Sequence, residues 1–466
     1  MIKRTHFGSP AFYKSALAIA IPVMLQALLQ NVVSLIDNFM VAGLGDVKMS
    51  GVNVTNQLLF IFFVSMNTIS VAGGIFMSQY NGAKDSDGMQ QSFRFKFHVS
   101  MILAIVVGLA CAFFPKQLLG LLVNRNTQSA EIVEAGSEYL ALIIFTLIPI
   151  GISTSIATSF RETGNVKPPL VISVAATLVN TFFNWVFIYG NLGAPRLEVR
   201  GAAIATIIAR IVEMVIYIVY IRKTRPLFYS RIRDLFKIKI KLFLTILRKS
   251  GLLFASELSW VIIETIMTAV YNGRGGAEIV SGMAAGWAIA NLFMLIFGGI
   301  HTAIGVIVGG TLGKNEIDAA RDQARWLKNG AFILGCFIAL IESFSVLLVP
   351  LVFGNLSADS RIVTRNLLWI ISAYMPVWTY LNAQFAIARA GGDAIMGAWV
   401  DVSVNTVLFL PGIFLLAWFT DFGPVAMYAI VKITDFVKVG VAAWQLSKER
   451  WLKNLTLMGK GDEVIM

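Results

Sequence analysis

The sequence predicts an all-α integral membrane protein, with twelve transmembrane helices in two pseudo-symmetric six-helix lobes. Three observations point there. The 466 residues are 57% hydrophobic and only 14% charged, whereas a soluble domain carries charge on about a quarter of its residues. The apolar residues come in long blocks: Met49–Ala83 and Pro168–Pro195 contain no charged residue. Such blocks exceed the ~20 residues a helix needs to cross a bilayer core. Finally, landmarks of the first half recur in order in the second. In lipid the backbone must satisfy its own hydrogen bonds, so each block is expected to be a helix. The alternation of a transmembrane barrel is missing.

The first span, Ser15–Gly43, follows a short basic N-terminus and is too long for a signal-peptide core. Val52–Tyr80, Phe97–Pro115, Ser137–Phe160, Pro168–Gly190 and Gly201–Ile221 complete the first six. The longest hydrophilic connection, Arg222–Lys241, lies near the midpoint of the chain. Its basic residues are mixed with Leu235, Phe236, Ile238 and Ile240, which predicts a surface helix along the inner leaflet. The second six spans are Leu244–Tyr271, Ser281–Leu312, Gly330–Phe353, Asn366–Ala388, Ala394–Thr420 and Pro424–Leu446. The lobes are thus 1–222 and 243–466, joined by a basic cytoplasmic linker, 223–242.

Charge sets the orientation. With the N-terminus inside, 27 of the 38 Lys and Arg face the cytoplasm, counting Arg248 and Lys249 at the inner end of the seventh span with the linker; 8 face outward, and Arg210, Lys432 and Lys438 fall within spans. This obeys the positive-inside rule with both termini cytoplasmic. The net charge of +12 therefore reports orientation and predicts no nucleic-acid partner. Cys111 and Cys336 lie in apolar blocks and read as buried hydrophobes, with no disulfide or metal pattern. No G-x-x-x-x-G-K-[ST], catalytic triad, zinc spacing or dinucleotide fingerprint occurs in credible context. An ATP-driven pump is excluded, and neither an enzyme nor a cofactor is expected.

The repeat is a series of paired positions. Ser50-Gly51 and Gly82 match Ser281-Gly282 and Gly313 at an offset of 231. Pro149 matches Pro376 at 227, and Arg161 and Gly164 match Arg389 and Gly392 at 228. Val179-Asn180-Thr181 recurs as Val404-Asn405-Thr406 at 225, and Gly201 as Gly423 at 222. Six spans per half give both halves the same topology, a known transporter plan in which one half rocks against the other around a central cavity.

Ionisable residues at membrane depth are functional candidates. Asp37 lies toward the outer end of span 1. Asn180 and Asn184 are i, i+4 on span 5, and Asp401 and Asn405 are i, i+4 on span 11. Glu257 and Glu264 share one face of span 7. Arg210 and Glu213 are opposite charges at i, i+3, and the offset of 222 carries them onto Lys432 and Asp435. Both pairs are expected to neutralise themselves as structural pins. Asp37, Glu257 and Asp401 have no basic neighbour on their own helix. A lone buried carboxylate takes up a proton or a cation, as a Na⁺- or H⁺-coupled carrier requires. Glu342 and His301 stand alone on spans 9 and 8. Gln57, Trp260, Met283, Trp287 and Trp378 are candidates for a cavity accepting apolar cations through their rings and sulfur.

Several stretches resemble the multidrug and toxic compound extrusion (MATE) family. They are Ile21-Pro22 with Asp37-Asn38-Phe39-Met40-Val41-Ala42-Gly43, Ser78-Gln79-Tyr80-Asn81-Gly82-Ala83-Lys84, and Phe160-Arg161-Glu162-Thr163-Gly164-Asn165. Val199-Arg200-Gly201-Ala202-Ala203-Ile204-Ala205-Thr206 and Ala388-Arg389-Ala390-Gly391-Gly392-Asp393 complete the set. The resemblance implies a secondary antiporter that exports organic cations in exchange for Na⁺ or H⁺. It places Asp37 at the family's span 1 coupling aspartate and Asn180 in the surrounding polar network. Asn184 stands where some members have a second aspartate. Glu257 and Glu264 both fall near a span 7 glutamate used by some members, and Asp393 matches an acidic residue after span 10. Export from a bacterial inner membrane by a monomer in the lipid bilayer, with small organic cations as substrates, is the expectation. The alternatives are a lipid-linked precursor flippase of a related fold and a non-transporting membrane sensor.

Overall fold

The computed structural model describes residues 5–123 and 128–457. Lys3, Arg4, Arg125 and Lys460, counted above for orientation, lie outside them. No strand occurs among the described residues. Ten helices there are long and apolar enough to cross a membrane. They are α1 (Pro10–Ala42), α2 (Asp46–Gly82), α3 (Ser86–Phe113), α4 (Ser129–Glu162), α5 (Lys167–Tyr189), α6 (Glu198–Thr224), α7 (Ile240–Asn272), α8 (Ala277–Gly313) and α9 (Ile317–Val352), with Ile395–Phe419 as the tenth. Between α9 and that helix lies α10 (Ala358–Ala390), so Ile395–Phe419 is α11. The chain ends with α12 (Pro424–Val431) and α13 (Thr434–Ser447).

Two of the twelve expected spans are thus not among the ten, for different reasons. The α10 helix is long enough but carries Ser360, Thr364, Ser372, Thr379 and Gln384, all buried. It packs against α8, α9, α11 and α13. A helix with protein on several sides need not be apolar all round. The last span is interrupted by a turn at Lys432–Ile433, leaving two pieces each too short to cross alone.

The chain divides into two compact units. The N-terminal unit comprises Leu25–Met77 and Asp85–Ser250. In it α3 packs on α4 and α5 on α6, around a core that includes Leu59, Phe62, Leu140 and Ala203. The C-terminal unit comprises Gly251–Met466 together with Met1–Met24 and Ser78–Lys84. Outward faces are apolar: Ile102, Ile105, Val106 and Leu109 form an exposed stripe on α3, and Ile333, Phe337, Leu340 and Phe344 one on α9. Stripes of this extent need a bilayer as solvent.

The repeated glycines occupy equivalent backbone positions. Gly164 and Gly392 have φ of 81° and 80°. Each N–H donates three residues back, to Arg161 O at 3.0 Å and Arg389 O at 2.8 Å. The next residues, Asn165 and Asp393, both donate to a carbonyl five back. These are the same left-handed C-cap, built twice. Gly82 and Gly313 mark a reciprocal close approach: a Cβ on Gly82 would strike Gly310 O, and one on Gly313 would strike Gln79 O.

The expected surface helix in Arg222–Lys241 is absent. Arg225 turns left-handed (φ 42°) and Pro226 follows it. The segment is strapped to α3: Gln91 Nε2 and Arg94 Nη1 donate to Lys237 O at 2.9 and 2.6 Å, and Lys239 N donates to Gln91 Oε1 at 3.0 Å. Side chains satisfy backbone groups a helix would have used internally. Within it, a hydrogen bond from Lys237 holds the Asp234 carboxyl below its usual pKa.

Candidate functional site

In the N-terminal unit, α1 brings Asp37 opposite one face of α5. Asn180 and Asn184 are one turn apart there and share that face. Asn184 Nδ2 donates to Asp37 Oδ1 at 2.5 Å and lies 3.3 Å from the Asn180 amide. The amide atom that Asn180 turns to Asp37 stands 3.0 and 3.2 Å from the two carboxylate oxygens. As nitrogen it donates to both. As oxygen it requires a proton or cation between them, since two acceptors at that distance repel. Asn184 Oδ1 is buried and accepts no hydrogen bond. A buried amide oxygen without a donor is costly, and this one belongs to the amide whose nitrogen reaches Asp37.

From α6, Thr206, Arg210 and Glu213 complete a cavity of about 100 Å³ that Asp37, Asn180 and Ser173 also line. Arg210 Nη1 lies 2.8 Å from Glu213 Oε2. The pair read above as a structural pin therefore stands in the same cavity as Asp37. Two carboxylates and one guanidinium leave an excess of one negative charge, enough for one monovalent cation.

A second polar network runs through the C-terminal unit. Glu257 on α7 lies 3.9 Å from Arg389 on α10. Glu264 lies 4.0 Å from Lys432. Lys438 on α13 bridges Asp401, at 3.4 Å, and Asp435, at 3.2 Å. Trp378 Nε1 donates to Asp435 Oδ2 at 2.8 Å.

These contacts correct three readings. Glu257 and Asp401 are not lone carboxylates; their partners come from other helices. Lys432 and Asp435 do not come within ion-pair distance of each other: Lys432 reaches Glu264, and Asp435 takes Lys438 instead. Lys438, placed in a span but not among the candidate residues, supplies the missing charge to Asp435.

Asp393 sits at the N-cap of the helix leading into α11, where its Oδ1 accepts from Met396 N at 3.2 Å. Of the cavity candidates, Met283, Trp287 and Trp378 meet in one apolar cluster of the C-terminal unit. Trp260 is exposed on α7, and Gln57 is exposed on α2 in the other unit.

A buried pair in the N-terminal unit escaped the sequence reading. Lys96 on α3 pairs with Glu162 at the end of α4 and donates to Thr158 Oγ1 at 3.1 Å. Gly73 and Gly74 of α2 leave the room, since a Cβ on either would strike one of these two side chains. Charge this far apart in sequence carries no local signal.

Comparison with known proteins agrees with this architecture. The family model described as MatE matches residues 22–186 and 253–415. "Probable multidrug resistance protein NorM" of Halalkalibacterium halodurans is 24% identical, over 93% of this chain and 94% of its own. A solved outward-facing multidrug resistance MATE family transporter of the MOP superfamily superposes with a TM-score of 0.82 at 20% identity, covering 94% of this chain and 96% of the other. A MOP superfamily transporter from Pyrococcus furiosus, whose binding pocket is described as of reverse polarity, superposes at 0.80 with 19% identity, covering 94% and 96%. The fold thus accommodates pockets of different charge, and substrate must be argued from this chain's own residues. It is a multi-pass protein of the inner membrane. With most of each repeat under the family model and the helical architecture shared, the chain belongs to the MatE family of multidrug efflux transporters.

Proposed function

We propose that the chain is a secondary active antiporter that exports organic cations or drugs in exchange for Na⁺ or H⁺ by alternating access, and that the coupling cation binds at Asp37. The reading includes twelve spans, with α10 as the tenth and α12 with α13 as the twelfth, and both termini in the cytoplasm. It keeps the lobes of 1–222 and 243–466 as the repeating units.

One observation carries the coupling site: the Asn184 amide that reaches Asp37 through its nitrogen leaves its buried Oδ1 without a donor. A cation satisfies this oxygen and the carboxylate together. The donors are oxygens of a carboxylate and neutral amides, which suits a hard cation. An asparagine coordinates Na⁺ but cannot carry a proton, so the Asn184 position favours Na⁺ over a two-carboxylate proton relay. The acids of the C-terminal unit support the same assignment from the other side, because Arg389, Lys432 and Lys438 already stand within ion-pair range of them.

The test is flux of an organic cation such as ethidium in proteoliposomes under an imposed Na⁺ or H⁺ gradient. Gradient-driven flux with one of the two ions is expected. Flux that ignores both gradients would sink the antiport reading. The Asn184→Asp variant separates the ions: it is expected to shift coupling toward protons, seen as flux that becomes more sensitive to a pH gradient.

A further inference from the structure

A cage of three aromatic rings in the C-terminal unit already holds a cation, and the cation is part of the chain. Lys432 Nζ lies 5.7 Å from the ring centroid of Trp378, 5.2 Å from that of Phe409 and 5.4 Å from that of Tyr428. The nearest carboxylate, Glu264, is 4.0 Å away, at the outer limit of an ion pair. An ammonium faced by several aromatic rings is the arrangement that recognises quaternary ammonium ligands.

The rings are held independently of the lysine. Trp378 is fixed by its hydrogen bond to Asp435 and by stacking on Tyr374, with centroids 5.9 Å apart. Tyr428 is buried in a T-shaped pair with Trp287, at 5.7 Å and 90°. Phe409 is buried in the π-helical turn Asn405–Phe409 of α11. Lys432 is placed differently: it sits on the two-residue turn between α12 and α13. The contrast with Lys438 is instructive. Lys438 lies within 3.5 Å of two carboxylates and is a fixed counter-ion. Lys432 is held by three ring faces together with the more distant charges of Glu264 and Asp435, and any ammonium of similar size competes for those faces.

We propose that Trp378, Phe409, Tyr428 and Glu264 form a binding site for alkyl or quaternary ammonium groups, and that the Lys432 ammonium is its tethered resting occupant. Substrate enters by displacing Lys432, and Lys432 returns when substrate leaves. The exchange swaps one monovalent cation for another, so the charge inside the cage is the same before and after. A cage that is never vacant also resists filling by water or small inorganic cations. This assignment rests on the organic-cation reading for its substrate class.

The test is equilibrium binding of radiolabelled tetramethylammonium to the purified full chain. Replacing Lys432 with Met keeps the bulk and removes the competing charge. Lys432→Met is expected to bind tetramethylammonium about tenfold tighter or more than the unaltered chain. Adding Trp378→Leu or Glu264→Gln to that variant reverses the gain. Lys432→Arg keeps a cation in the cage and binds no tighter than the unaltered chain. A folded Lys432→Met chain with no gain, or a gain that survives both second changes, overturns the proposal.

A second measurement needs no variant. Tetramethylammonium pushes the Lys432 amine out of the cage and speeds its acetylation by acetic anhydride, read by mass spectrometry; an unchanged rate overturns the proposal. Binding at equilibrium requires no ion gradient. Cage binding without gradient-driven flux would therefore support the cage and sink the antiporter, while flux without cage binding would do the reverse.

Discussion

Asn184 offers its amide nitrogen to Asp37 and leaves its own oxygen buried without a donor. That asymmetry is what supports the proposal that the pair holds a cation. Lys438 plays the opposite part, as a permanent cation between Asp401 and Asp435. Removing one partner of a buried ion pair strands the other. Lys438→Ala is therefore expected to cost about 3 kcal/mol or more, with part recovered in the double variant Lys438→Ala/Asp401→Asn, both read by thermal unfolding. Glu342 on α9 is fully buried, and neither carboxyl oxygen has a hydrogen-bond partner. Glu342→Met is expected to stabilise by about 1 kcal/mol, since it removes an unsatisfied buried polar group; a lower melting temperature would show that the carboxyl has a use. Spacing along one helix made Asn180 and Asn184 legible as a shared face, whereas Asp37, on another helix, was tied to them only through the family resemblance. The sequence made Glu257 and Asp401 look alone because Arg389 and Lys438 lie on other helices, and nothing local reports a partner that folding brings from elsewhere.

Among the elements, the long apolar helices were plain in the sequence, because hydropathy and length are both local. The departures all involve tertiary context. The α10 helix is polar on faces that protein covers. The last span is broken by a turn whose residues, Lys432 and Ile433, give no glycine or proline signal. The basic linker forms no surface helix because α3 side chains bind its backbone. The glycines at helix ends were legible as repeats, and the structure gives their reason. At φ 80°, Gly392→Ala forces a side chain into left-handed backbone and is expected to cost about 1 kcal/mol. Gly313→Leu is expected to be far worse, because no rotamer escapes the Gln79 carbonyl; failure to recover folded protein after mild detergent extraction is the readout, and normal recovery would refute the close approach.

For the molecule as a whole, the exposed apolar stripes and the distribution of basic residues both require a bilayer. The orientation makes a direct prediction. In a chain with Cys111 and Cys336 replaced by Ala, Arg231→Cys is expected to react only with reagents that reach the cytoplasm, and Arg361→Cys with impermeant reagents applied outside. The reverse pattern would invert the topology. The central claim is that the N-terminal acid couples a cation gradient to export. The most direct measurement is ethidium flux in proteoliposomes under a Na⁺ gradient, compared between the unaltered chain and Asp37→Asn. The account predicts uphill ethidium movement for the unaltered chain and none for Asp37→Asn, with ethidium binding retained. Undiminished gradient-driven flux in Asp37→Asn would contradict it.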